Sequence, residues 1–380
     1  VSNKDREITL RVPDEAEVLR CLLVSFRLPY MADDLREVLP ATRFSNARVS
    51  EKGRYLKGLL KTLGGLLSAE HLLSQRYWRR MFQRLSNRDT RSDERNITKL
   101  RKRIADKILG QPSSFKDSED FSDWLALTLL KVSHDVRQPG KVLRYEEFEA
   151  EARKEAAELN AEPGTRQPWD LSPDALHDIL SDLVADKVLW MGITVQCRAC
   201  GLGQWRPLQE MRQHTRCTGC GGLTPIGAEA RWEYRLNNLV QAACTEHGQT
   251  VVVLCLGHLF HRGRDFFAFA PSIDVFDTVT GQDEKLLDDI DIVAVADGQL
   301  ILGEVKETAG GFGASDFEWM LEVGRRIRPD VLVFSTLEQQ PVRPFVLTQI
   351  ARLRQELEPL RVQVEWVQLS DHVFEPQPVR

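Results

Sequence analysis

No apolar run in the 380-residue sequence approaches the roughly 18 residues that a membrane-spanning helix needs, and there is no low-complexity tract. A membrane protein and a disordered scaffold are thereby disfavoured. The opening residues, Val1-Ser2-Asn3, show neither a methionine nor a signal-like apolar core. The expectation is a trimmed or excised piece of an intracellular, cytoplasmic protein with no membrane partner. Cysteine is scarce and unevenly spread: of seven, four lie between positions 197 and 220. That distribution argues against a disulfide framework and for a metal site in a reducing compartment.

What is present is ordinary globular composition, 42% hydrophobic and 28% charged, in a chain long enough for two or three cores. The net charge of −5 is unevenly placed. Residues 229–380 hold 14 Lys and Arg against 24 Asp and Glu, whereas residues 1–228 hold 37 against 32. The basic excess peaks over 76–107, with twelve cations and four anions. A nucleic acid would be gripped there, and Arg79, Arg80, Arg84, Lys99, Arg101, Lys102 and Arg103 are the candidate phosphate contacts. Tyr77, Trp78 and Phe82 interleave with the arginines, as in base-stacking surfaces. The alternative is a solvated amphipathic helix with a buried aromatic face.

Periodicity predicts a mostly helical region over 1–165 after a short strand, "REITLRV". Its helical segments are "EVLRCLLVSF", "YLKGLLKTLGGLLSAEHLL", "NITKLRKRIADKIL" and "FSDWLALTLLKV". A Pro-rich linker near 160–172 follows. Over 166–228, Ser172-Pro173 starts a helix, and "VLWMGITVQC" is a strand, a pairing that suits a winged-helix-like element. Cys197-x2-Cys200 and Cys217-x2-Cys220, each followed by glycine, have the spacing of two turns that close one tetrahedral Zn²⁺ site. The arrangement resembles a zinc ribbon. Arg206 and Arg212, with Arg198 and Arg216, make a phosphate-facing surface one reading of it and a purely structural staple the other.

The last part, 229–380, turns on "DDIDIVAVADGQLILGEVKET". Asp297-Gly298 is a two-residue hairpin turn, which pairs Ala296 with Gln299, Asp291 with Glu304 and Asp289 with Lys306. Two carboxylates with Cβ atoms ~5 Å apart across a ladder repel each other. A hard divalent cation offsets that repulsion best.

Asp291, twelve intervening residues and then Glu304-Val305-Lys306 resemble the core of the PD-(D/E)xK nuclease superfamily, although Ile290 stands where the pattern has proline. The resemblance implies a restriction-endonuclease-like αβββαβ domain with a mixed sheet. It also implies Mg²⁺ or Mn²⁺ on Asp291, Glu304 and the Val305 backbone carbonyl, with Lys306 assisting attack on a phosphodiester. Family members often carry a further acid on the first helix, "ARWEYRLNNLVQAACTEHG", for which Glu233 and Glu246 are the candidates and Glu233 the favoured one. "QTVVVLCLGHLF" and "DFFAFAPSIDVF" read as strands, and "SDFEWMLEVGRRI" as the crossover helix.

The expectation is thus a multidomain α and α/β protein: a metal-dependent nuclease acting on DNA within a defence, repair or mobile-element system. RNA is a second possible substrate and protein partners are possible. A non-cleaving sensor or docking subunit is the competing reading.

Overall fold

The computed structural model describes residues 29–32, 46–86, 141–161, 172–227, 230–277, 285–337 and 342–369. The expected segments "REITLRV", "EVLRCLLVSF", "NITKLRKRIADKIL" and "FSDWLALTLLKV" lie outside them, as do Lys99, Arg101, Lys102 and Arg103. Among the described residues the chain is mixed α and β, and no helix is long and apolar enough to cross a membrane.

In chain order, strands β1 (Tyr30–Met31) and β2 (Asn46–Val49) precede helices α1 (Glu51–Thr62), α2 (Leu66–Ser74) and α3 (Arg76–Ser86). Strand β3 (Val142–Arg144), helices α4 (Tyr145–Asn160) and α5 (Pro173–Ala185), and strands β4 (Leu189–Gln196), β5 (Gly203–Pro207), β6 (His214–Arg216), β7 (Leu223–Pro225) and β8 (Glu233–Leu236) follow. Then come the short α6 (Asn238–Gln241), α7 (Gln249–Arg262), β9 (Phe267–Ala270), β10 (Ile273–Asp277), β11 (Lys285–Ile290), β12 (Ile292–Ala296) and β13 (Gln299–Lys306). Helix α8 (Ala314–Ile327), β14 (Val331–Thr336), α9 (Pro344–Leu357) and β15 (Gln363–Gln368) close the order.

These elements form two compact units. The first comprises the described residues from Gly248 onward together with 29–32, 46–57 and 66–70. Its six-stranded mixed sheet runs β1-β9-β12-β13-β14-β15. β9, β12 and β13 are successively antiparallel, and β14 and β15 continue parallel to β13. Parallel neighbours need crossovers, which α8 and α9 supply. The hairpin register is the one the Asp-Gly turn dictates, Ala296 with Gln299 through Ile292 with Gly303. Asp297 and Gly298 both take positive φ, 49° and 82°, as the tight turn between right-twisted strands requires. Phe317 stacks on Phe334 with centroids 5.1 Å apart, inside a core shared with Phe312, Met320, Ile350 and Leu353.

Three expectations are corrected in this unit. "QTVVVLCLGHLF" is helix α7, not a strand, and is buried from Gln249 through Gly257. A fully apolar run lacks the periodicity that separates buried helix from buried strand. "DFFAFAPSIDVF" breaks at Pro271-Ser272: β9 stays in the large sheet, while β10 joins a second sheet, β11-β10-β2. Finally, the unit begins at Gly248, not 229, and it recruits β1, β2 and the start of α1 from the region expected to be a separate helical domain.

The second unit comprises 58–65, 71–86, 141–161, 172–227 and 230–247. It holds the sheet β3-β8-β4-β5, the β6-β7 hairpin and helices α3, α4 and α5. Ser172 caps α5 as its sequence advertises, accepting the Ala175 N–H at 3.2 Å. The predicted 230–248 helix is instead β8, the short α6 and a π-helical turn over Ala242–Glu246. Asn237 ends the strand and caps the turn, its side chain accepting the Leu239 N–H at 2.8 Å. Trp232, just before β8, is 47% exposed.

Candidate functional sites: a four-cysteine cluster and a buried acid pair

The four cysteines converge. Cys197 and Cys220 sulfurs lie 3.6 Å apart, as do those of Cys200 and Cys217, and all four lie within 4.8 Å of one another. A tetrahedron with metal–sulfur bonds of about 2.3 Å has edges of about 3.8 Å, so this set could hold a metal such as zinc. Two matching turns build it. Gly201 and Gly221 donate to the carbonyls of Cys197 and Cys217 at 2.8 and 2.9 Å, while Cys197 and Cys217 donate to those of Leu202 and Gly222. Backbone amides of Cys200 and Ala199 favour the Cys197 thiolate and pull its pKa down to about 6. At Cys200 the Leu202 amide acts the same way, but Cys220 and Cys217 outweigh it and push the thiol up to about 12.

Arg206, expected to face a phosphate, is turned inward. Its guanidinium donates to Gln204 Oε1 at 2.9 Å and to the Arg216 carbonyl at 2.8 Å. Gln204 in turn donates to Cys217 Sγ at 2.9 Å. Arg206 therefore braces the cluster through Gln204, whereas Arg212 is exposed. Replacing Cys217 by serine removes one of four sulfurs. The expected result is loss of about one zinc per chain, read by mass spectrometry of the native protein.

The basic helix α3 is also engaged within its own unit. Tyr77, Trp78 and Phe82 are buried in the core, so the aromatics are packing residues. Arg76 and Arg80 both hold the fully buried Glu155 of α4, and Arg80 also reaches Glu158 at 2.8 Å. Arg84 pairs with Glu151 at 2.8 Å, and Arg79 donates to the carbonyls of Leu73 and Ser74 at the end of α2. Arg79, Arg80 and Arg84 thus spend their charge on helix ends and glutamates.

The first unit gathers acids where its two sheets diverge. Asp291 is the single residue between β11 and β12, which belong to different sheets. Its carbonyl accepts the Ser272 hydroxyl at 2.9 Å, and its carboxylate accepts the Val305 N–H at 3.3 Å. Glu304, on the penultimate turn of the β13 pleat, is 4% exposed, as is Asp291. Lys306, two residues on and so on the same face, holds Glu304 Oε1 at 2.5 Å and Asp316 at 3.4 Å. Burial, then the Asp291 charge, pushes Glu304 well above the usual carboxylate range. Asp291 is raised too, by burial first, with Lys52 opposing the rise and Asp289 adding to it. Burial alone would depress Lys306, but Glu304, Asp316 and Asp291 hold it above its ordinary value.

Two predicted members are placed differently. Asp289 does not oppose Lys306; it lies on β11 opposite Asp274, in the smaller sheet. Glu233 belongs to β8 of the second unit, where Thr194 donates to it at 2.6 Å, and Arg144 lies 3.8 Å away. It is a buried acid carried by a strand and not by the expected helix.

The member that sequence reasoning missed is Lys52. Its Nζ lies 2.6 Å from Asp289 Oδ2 and 3.3 Å from Asp291 Oδ1. No local signal could have found it, since 237 residues separate Lys52 from Asp289. Asp289, Asp291 and Glu304 do not converge as tightly as the cysteines, which are the one such ligand group among the described residues. Asp291 and Glu304 offer the oxygen donors that hard divalent ions take, and Asp289 and Asp291 hold one cation, the Lys52 ammonium.

No known protein family profile matches the sequence, and no curated protein is similar to it. Among solved structures, the crystal structure of protein VC1899 from Vibrio cholerae is similar, with 13% sequence identity and a TM-score of 0.29. The likeness covers 83% of this chain and 56% of that one. The chain thus spans a little over half the length of that protein, and a likeness this low carries no argument about fold or function.

Proposed function

We propose that this chain is a divalent-metal-dependent nuclease that hydrolyses phosphodiester bonds of DNA. One observation carries the reading: two almost fully buried carboxylates, Asp291 and Glu304, kept at a strand junction with Lys306 against the second. Burying two like charges is costly unless a cation compensates. Mg²⁺ or Mn²⁺ bound on Asp291, Glu304 and the Val305 carbonyl would supply Lewis acidity toward a phosphoryl oxygen. Lys306 keeps its proton beside that position and stabilises negative charge developing on the phosphoryl group. Asp316, at the start of α8, accepts the Gly313 N–H at 2.6 Å and shares Lys306 with Glu304, fixing the lysine's reach.

A docking or sensor subunit without cleavage is the second reading. The Lys52 contacts favour it, because in that case the acids and lysines form a closed ionic staple. Incubating the wild type and Glu304→Ala with plasmid, linear duplex, single-stranded DNA and RNA, in Mg²⁺ and in EDTA at one salt concentration, separates the two. Cleavage by the wild type in Mg²⁺ alone, strongest on DNA, is expected. Identical, metal-indifferent behaviour of both proteins on every substrate would leave the docking reading standing.

A further inference from the structure

Helix α1 is fastened to the junction that carries Asp291. Ser50 donates to the Ser272 carbonyl from both its backbone N–H and its hydroxyl, each at 3.0 Å. The same hydroxyl accepts the Gly53 N–H at 2.9 Å and so caps the helix. Gly53 lies so close to the turn that a Cβ there would come within 2.2 Å of the Ser272 carbonyl oxygen. Ser272 itself donates to the Asp291 carbonyl. Lys52, between Ser50 and Gly53, is thus held over the acids by backbone on both sides rather than by a mobile loop.

Resting on the nuclease reading above, we propose that Lys52 is a resident counter-ion that occupies the acid cluster and must leave Asp291 when a divalent cation binds there. Asp274 lies opposite Asp289 in the smaller sheet, Asp288 precedes Asp289 on β11, and Lys52 joins Asp289 to the buried Asp291. An ammonium 3.3 Å from Asp291 Oδ1 covers an oxygen that the ion would coordinate at about 2.0 to 2.1 Å. Two cations on one carboxylate at that range repel strongly, so ion and ammonium exclude each other. Lys52 keeps Asp289 as an alternative partner at 2.6 Å, which gives it somewhere to go. Lys52 is then a positioning residue that sets the metal affinity of the site.

The test uses the intact chain and Mn²⁺ alone. Amine labelling followed by peptide mass spectrometry reads the Lys52 ammonium against exposed Lys61 as an internal reference. Saturating Mn²⁺ is expected to raise Lys52 labelling at least about threefold in the wild type and to leave it unchanged in Glu304→Gln. Calorimetric titration of Lys52→Met is expected to show Mn²⁺ binding at least about tenfold tighter than wild type. If Mn²⁺ binds the wild type in a Glu304-dependent way while Lys52 labelling stays flat or falls, the counter-ion role is overturned. Unchanged or weaker Mn²⁺ affinity in a folded Lys52→Met overturns it equally. Absence of any Glu304-dependent Mn²⁺ binding in the wild type would instead remove the nuclease reading and the inference with it.

Discussion

Glu304→Gln is expected to abolish metal-dependent cleavage, by about a thousandfold or more, while melting at a higher temperature than wild type in EDTA. The two effects have one cause. In the metal-free chain Glu304 and Asp291 are both held above the usual carboxylate range, by burial first, with the Asp291 charge adding to the rise at Glu304 and the Asp289 charge to that at Asp291, so ionising Glu304 costs stability. Glutamine keeps the shape and removes the charge, and Lys306 retains Asp316 at 3.4 Å. A gain of about 1 kcal/mol is a reasonable scale, or a few degrees for a unit of this size. The pH dependence follows by linkage. The folded-state pKa of Glu304 lies above its unfolded value. Its favourable contribution is therefore complete below the ordinary carboxylate range of about 4 and is lost as pH rises through the raised value. Wild-type stability should fall over that rise more than the Gln variant's does. Thermal melts of both proteins across the pH range, in EDTA, check it. If Glu304 were half of a stabilising salt bridge with Lys306 and nothing more, Glu304→Gln would melt lower at neutral pH.

The second large effect is structural. Glu155→Ala should destabilise the second unit by about 2 kcal/mol, because Arg76 and Arg80 lose their fully buried partner and keep only the part-exposed Glu158. Both oxygens of Glu155 are taken, one by Arg76 and one by Arg80, and its neighbours are core. Tyr77 donates to the Phe148 carbonyl at 3.0 Å, and Phe148 packs edge-on against Tyr234. Replacing Glu155, Arg76 and Arg80 together by apolar residues of similar volume should restore most of the loss, since no unpaired charge then remains buried. Chemical denaturation of the single and triple variants measures both. A single variant as stable as wild type would mean that the three side chains do not form the closed cluster described. The same pairing implies that Arg80→Ala changes stability and not the salt dependence of nucleic-acid binding, which phosphate contacts alone control.

What could be read from the sequence was local. The Asp297-Gly298 turn fixes the β12–β13 register residue by residue, and the Cys-x2-Cys spacing brings four sulfurs together. Ser172-Pro173 marks the start of α5 for the same reason: cap and helix are neighbours in the chain. What failed was non-local or aperiodic. Val251, Val252 and Val253 have strand propensity, yet the run they open is buried on every side as helix α7, where packing overrides propensity. Leu236 fits a helical spacing with Leu239 and Val240 as well as a strand, and the strand won because β3 and β4 flank it. Glu233 was lost with that choice. Lys52 and the Arg–Glu pairing of α3 with α4 come from segments far apart in the chain, which no charge count can join.

The most direct test of the central claim is where a metal sits. A crystal soaked in Mn²⁺ and measured at the manganese absorption edge should show an anomalous peak within about 2.5 Å of carboxylate oxygens of both Asp291 and Glu304, with the Lys52 ammonium moved off Asp291. Manganese absent from that junction, with Lys52 still on Asp291 and Asp289, would contradict the account.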